Sequence, residues 1–130
     1  MKILVRVALI FIVILIAGTF YLTHGLNEGK NIELEGVVPS QLEDGVYNGK
    51  YSAGRWSNSL NVIVKHQKIS EINIIDDVTF AIPGVSDELF NKVIEEQNTI
   101  VDAVSGATVT SKAYLKSIEN ALNNQKGGSK

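Results

Sequence analysis

The sequence predicts an α+β domain: a small antiparallel or mixed sheet packed with two helices, preceded by one N-terminal transmembrane helix. Three observations predict it. Residues 3–22, ILVRVALIFIVILIAGTFYL, are apolar almost without interruption. Residues 60–75, LNVIVKHQKISEINII, alternate in polarity on either side of His66-Gln67. Two later stretches, SDELFNKVIEEQN and SKAYLKSIENAL, carry apolar residues at helical spacing.

The first stretch has the length a helix needs to cross the hydrocarbon layer, about 20 residues. Lys2 and Arg6 lie on its N-terminal side, which places Met1 in the cytoplasm and the remainder outside the cell membrane. Arg6 can reach the interface along its own aliphatic stem. A cleaved signal peptide shares the basic start and apolar core. The long core and the lack of a clear small-x-small site, with Ala17-Gly18-Thr19 the nearest approach, favour a retained anchor. The expected organisation is an anchor at 1–22, a linker at 23–43, a folded unit at 44–122 and a flexible tail at 123–130. Gly25, Gly29, Gly36 and Pro39 among charges and amides support the linker, and NNQKGGSK supports the tail. The folded unit, about 80 residues, is near the small end of what folds without staples.

Within that unit, DGVYNGKYSAG reads as a short strand with turn signals at Asp44-Gly45 and Asn48-Gly49. Leu60, Val62 and Val64 form one face of the next strand, His66-Gln67 makes the turn, and Ile69, Ile72 and Ile74 return. Ile63 and Ile75 break strict alternation, so both sheet faces are expected to be partly covered. Ser86 is the expected cap of the next helix, with Asp87 and Glu88 at its positive end and Leu89, Phe90, Val93 and Ile94 as its stripe. Tyr114, Leu115, Ile118, Ala121 and Leu122 give the last helix its apolar side.

Composition excludes several chemistries. The chain has no Cys, so it can form no disulfide, thiolate-held iron–sulfur cluster or thiol nucleophile. Its two imidazoles, His24 and His66, are far apart in sequence and read as surface residues, with no metal site expected. Twelve basic against fourteen acidic residues leave a net charge of −2 and no basic stripe for nucleic acid.

One stretch carries chemistry. VDAVSGATVTSKAYL sets Ser105, Thr108, Thr110 and Ser111 around Gly106 and Ala107 at the start of the last helix. A helix N-terminus offers unpaired N–H groups and the positive end of the dipole, which suits phosphate. Gly106 and Ala107 allow close backbone approach, and the hydroxyls add donors. The plain alternative is that Thr110 or Ser111 caps the helix and the rest is loop. The GxxxxGK[ST] pattern of a P-loop is absent.

Asp102-Ala103-Val104-Ser105-Gly106-Ala107-Thr108 resembles the D-x-x-[ST]-G-A-T motif of the FMN-binding domain family, which includes flavin-carrying subunits of the sodium-translocating NADH:quinone reductase and the Rnf complex. Asp44-Gly45-Val46-Tyr47-Asn48-Gly49 resembles the DGxYxG start of that domain, and VIVKHQKISEINII its central hairpin, with His66-Gln67 in place of the usual Asp-Gly turn. The resemblance covers residues 44–122. It implies that a flavin transferase, using FAD and Mg²⁺, esterifies Thr108 with the phosphate of FMN. It also implies a part for Asp102 in transferase recognition or Mg²⁺ placement, against the plain reading of Asp102 as a loop cap.

Trp56 is either a stacking partner for the flavin ring or a core residue, and Tyr47 and Tyr51 either line the flavin or pack in the core. Arg55 reads as a solvated residue that can also contact the phosphate or ring, and Glu95 and Glu96 as a solvated helix face. The resulting expectation is a membrane-anchored extracytoplasmic electron carrier with FMN on Thr108, exchanging electrons with donor and acceptor proteins or quinone. No acid/base pair marks a stand-alone enzyme. The alternatives are a noncovalent FMN-dependent reductase of a small extracellular acceptor and a flavin-free surface binding domain.

Overall fold

The computed structural model describes residues 1–26 and 31–128, with side-chain surroundings through residue 123. Expectations for linker residues 27–30 and tail residues 129–130 lie outside the described residues. Helix α1 spans Lys2–Thr23 and buries none of its residues against the rest of the chain. Its most apolar 18-residue stretch has a mean hydropathy of 2.8, and that with its length makes it able to cross a membrane.

Strands β1 (Gly45–Tyr51), β2 (Asn58–Lys65) and β3 (Lys68–Asp76) form an antiparallel sheet in that spatial order. Helix α2 spans Val85–Glu96 and helix α3 spans Thr108–Gly128. The α+β expectation holds. Leu60, Val62 and Val64 on β2 meet Ile69 and Ile72 on β3, and α3 covers this face with Tyr114, Leu115, Ile118, Ala121 and Leu122. Full burial of one such aliphatic side chain stabilises the fold by about 1.5–3 kcal/mol.

Ile69, Ile72 and Ile74 are not evenly spaced, yet all turn towards the core. A register shift between Ile63 and Val64 absorbs the extra residue: Val64 pairs with Ile69 while Ile63 pairs with Glu71, leaving Ser70 unpaired in register. On the opposite face Ile63 is half-buried on the central strand, while Val46 is 64% and Ile75 52% exposed on the outer strands, so cover there is confined to the middle of the sheet.

At the hairpin turn, His66 and Gln67 adopt φ of 54° and 61°, the left-handed pair a two-residue type I′ turn requires. The Asp44 carboxylate accepts a hydrogen bond from the Gln67 N–H (3.2 Å). Backbone hydrogen bonding from His66 and Gln67 lowers the pKa of Asp44. The double substitution His66→Asn, Gln67→Gly relieves side-chain strain at both positions and keeps the Gln67-position N–H. We expect it to raise stability by about 1 kcal/mol, read as a higher urea midpoint at unchanged m-value.

Sequence and structure differ in four places. Asn48-Gly49 lies within a straight strand and makes no turn. A Cβ on Gly49 would stand 2.1 Å from the Ser117 carbonyl oxygen and 2.6 Å from the Ala121 nitrogen, so β1 packs on bare α3 backbone. Helix α2 is capped by Gly84 at φ 83°, and Ser86 is its second residue. Helix α3 begins three residues before Ser111 and continues to Gly128, through residues expected to form a tail.

The fourth difference is the linker, whose residues after 31 pack on the domain. Leu34, Val37 and Leu42 join the core. Buried Glu119 receives hydrogen bonds at Oε2 from the Gly36 N–H (2.8 Å) and the Thr99 hydroxyl (2.6 Å), while Lys116 lies 3.5 Å from Oε1. Asn98 Oδ1 accepts from the Val37 N–H, and Asn123 donates to the Gly36 carbonyl.

Tyr114 ties α3 to the loop after β3 by donating to Asp77 Oδ1, and its ring meets Phe90 of α2 edge-on at 5.6 Å. Burial, then the Asp77 hydrogen bond and charge, raise the Tyr114 pKa. The unfolded chain therefore releases this proton first, from about pH 10. Stability contributed here is complete below that pH and is lost as pH rises towards the folded-state value. Tyr114→Phe is expected to remove this alkaline loss and to cost about 1 kcal/mol at neutral pH, measured by denaturation at a series of pH values.

Candidate functional site

The site is built on the junction of α3 with the turn that precedes β2. Val104 to Ala107 close a tight turn, the Ala107 N–H donating to the Val104 carbonyl (2.9 Å), and Gly106 takes φ 81° at its third position. That is the place where a type II turn favours glycine. A Cβ on Gly106 would meet nothing within 4 Å, so backbone angle, not crowding, sets the need for glycine.

Thr108 follows as the first residue of α3 and is exposed. The N–H groups of Thr108, Val109 and Thr110 stand in the first turn, where no earlier helical carbonyl can accept from them. The Ser111 N–H donates to the Ala107 carbonyl (2.8 Å). Ser111 itself is fully buried, its hydroxyl accepting from the Val104 N–H (3.0 Å). Ser111 thus braces the turn from inside the fold.

The second wall is the 3₁₀ turn Gly54–Trp56. Ser57 closes it, accepting from the Ala53 N–H (2.9 Å) and donating to the Gly54 carbonyl (2.8 Å). Asn58 donates to the Trp56 carbonyl (3.1 Å) and accepts from Ser117 of α3 (2.7 Å), which fixes the turn against the helix. The Arg55 guanidinium lies 4.1 Å from the centre of the Trp56 ring and 5.4 Å from that of Phe80. Such placements favour the cation over the aromatic face.

Where these two elements meet is a groove of about 530 Å³, lined by Leu26, Arg55, Trp56, Phe80 and Ile82 together with residues 106–110. Its volume falls within the range of small-molecule sites, about 300–1,000 Å³. Of the residues singled out from sequence, Gly106, Ala107, Thr108, Thr110, Arg55 and Trp56 meet here. Trp56 is 4% exposed, so it is at once a core residue and part of the groove wall.

The others lie elsewhere. Ser105 is exposed in the turn without lining the groove. Asp102 is exposed beside a smaller depression of about 270 Å³ shared with Lys92, Glu95, Glu96, Ile100 and Val101. Tyr47 is half-buried against the core, its hydroxyl donating to the Glu43 carbonyl, and Tyr51 is half-buried at the end of β1. Arg55, which does line the groove, is not the solvated residue expected. Its side chain is spread between two rings and the Leu22 carbonyl, to which Nε donates (2.9 Å).

Phe80, Ile82 and Leu26 were missed in the sequence. The signal available was TFAIP, an apolar run in a stretch with neither strand nor helix pattern. No cluster of three His, Cys, Asp or Glu suited to a metal occurs among the described residues.

The groove pairs an aromatic and aliphatic wall with a helix N-terminus that carries an exposed hydroxyl residue. The first suits a flat heteroaromatic ring, the second a phosphate. The profile of the FMN-binding domain family matches residues 16–123 of the chain. An uncharacterized protein of Treponema pallidum (strain Nichols) is 31% identical over 90 residues, which cover 65% of this chain and 24% of that protein. The chain therefore spans about a quarter of the length of that curated relative.

Proposed function

Because the chain belongs to the FMN-binding domain family, we propose that it is a membrane-anchored, extracytoplasmic electron carrier whose FMN is held through a phosphoester on Thr108. The observation that carries this reading is the position of Thr108: exposed, first in α3, and lining the same groove as Trp56.

FMN, when bound, supplies reversible uptake and release of electrons. The residues supply the rest. The first-turn N–H groups of α3 and the helix dipole offset phosphate charge. Trp56, Phe80 and Ile82 form an apolar wall from which water is displaced, and Arg55 brings a fixed positive charge to that wall. Thr108 loses its hydroxyl proton and gains an ester bond to phosphorus, with FAD as donor and AMP as leaving group. Asp102, outside the groove and exposed, is accessible to the transferase that performs this step. A tether through phosphate leaves the ring chemistry unaltered and prevents loss of the flavin to the medium.

Helix α1 serves as the anchor, with Lys2 and Arg6 on the cytoplasmic side. Partners on this reading are the flavin transferase, a donor and an acceptor, either proteins or quinone.

The test is intact mass and in-gel flavin fluorescence after full denaturation, on protein co-expressed with a flavin transferase. The native chain is expected to gain one FMN less one water, and Thr108→Ala to gain nothing. Flavin that washes out on denaturation would favour the noncovalent reductase. An unmodified native chain, beside a control substrate that is labelled, would overturn the reading.

A further inference from the structure

The groove lies at the foot of the apolar helix. The 22 residues of α1 extend about 33 Å at 1.5 Å per residue, close to the hydrocarbon thickness of about 30 Å. Its last turns carry Phe20 and Tyr21, aromatic residues of the kind that settle at a membrane–water boundary.

At that end the domain is docked directly. Arg55 Nε donates to the Leu22 carbonyl (2.9 Å), one of the last four carbonyls of α1 that no helical N–H can satisfy. A Cβ on Gly54 would stand 2.1 Å from the His24 oxygen, and one on Gly25 would stand 2.4 Å from the Ala53 oxygen. The two backbones touch with no side chain between them.

The loop between β3 and α2 is fastened to the same turn. The Thr79 N–H donates to the Arg55 carbonyl (2.9 Å), and Phe80 and Ile82 follow at 52% and 45% exposure on the rim of the groove. A single chain of contacts therefore runs from Leu22 through Arg55 and Thr79 to Phe80. Exposed aromatic and aliphatic side chains held beside the exit of a membrane helix, next to a basic residue, match the chemistry of an interfacial lipid contact.

We propose that the Phe80–Ile82 loop rests in the headgroup region of the bilayer and seats the mouth of the groove on the membrane surface. This rests on α1 being a retained anchor. The hairpin tip at Lys65 lies at the other end of β2, whose eight residues extend about 25 Å from the turn at Trp56.

The absence of Cys allows a direct test on the full chain in nanodiscs. Ile82→Cys, Lys65→Cys and Val13→Cys are each labelled with an environment-sensitive fluorophore. Lipids carrying a nitroxide at the headgroup or deep in the acyl chain serve as quenchers. The Ile82 label is expected to shift to the blue and to lose most of its emission to the headgroup nitroxide, with no response from the Lys65 label and deep quenching at Val13. If the Ile82 label behaves as the Lys65 label does while Val13 is quenched, the loop contact is wrong and the anchor stands. If Val13 is not quenched either, both fail.

Discussion

Gly49→Ala is expected to leave the domain unfolded under conditions where the native chain folds. The added methyl would sit 2.1 Å from the Ser117 carbonyl oxygen and 2.6 Å from both the Ala121 nitrogen and its Cβ. Most of these atoms belong to helix backbone, which cannot swing aside as a flexible side chain can. Relief requires β1 to separate from α3, and the loss spreads along the strand into the β1–β2 pairing. A cost of about 4 kcal/mol or more places this among the rare severe substitutions. Small domains hold about 5–15 kcal/mol in total, with the smaller ones at the lower end. Circular dichroism and urea melts of the native chain and Gly49→Ala, with Gly45→Ala as a control, check it. A Cβ at Gly45 meets nothing within 4 Å, so that variant should melt close to the native midpoint.

The second large effect is expected at Glu119. Its Oε2 is the acceptor for the Gly36 N–H and for the Thr99 hydroxyl, which is 0% exposed. Glu119→Ala leaves both donors unpaired and opens a cavity beneath the segment 31–38. Loss of a shared buried acceptor is expected to cost about 3 kcal/mol. Glu119→Gln keeps an acceptor oxygen and should cost about 1 kcal/mol. The ordering of the two melting midpoints is the check, and near-native stability of Glu119→Ala would show that the segment is not held in this way. Protease sensitivity between residues 31 and 38 should rise in Glu119→Ala before the rest of the domain is cut, because Gly36 and Val37 are held partly by side-chain hydrogen bonds.

The difference between these residues and the hairpin shows what a sequence can display. Leu60, Val62 and Val64 announce their shared face because a strand repeats every two residues, and the partner's spacing fault is small enough for one bulge to absorb. Leu89, Phe90 and Val93 do so at helical spacing. The segment with Leu34, Val37 and Leu42 has no period, because it is neither strand nor long helix, and its glycines and charges resemble a linker. Gly49 carries two local meanings, turn and close approach, and only the helix lying across it decides between them. Thr108 and Thr110 have low helix propensity, so the sequence pattern shows the start of α3 only from Ser111, three residues late.

The groove was half legible for the same reason. Its phosphate side is one contiguous stretch, GATVT, and a local motif can carry it. Its other side is assembled from Leu26, the turn at Arg55-Trp56 and the loop at Phe80–Ile82, which tertiary docking alone brings together. Nothing in the spacing of those residues relates them.

On the proposed reading of the chain as a membrane-anchored carrier, the fastening of residues 33–37 to Lys116, Glu119 and Asn123, together with the docking of Gly54 against His24, would bear on how it meets its partners. A cargo on a long, loose stalk samples a hemisphere and can visit a donor and an acceptor at different heights in turn. A cargo fixed at two points beside its anchor keeps one height and one tilt. Its encounters are then collisions within a plane, governed by lateral diffusion and by how many partners share that plane. Only those whose redox centres open at the same level as the groove can be served.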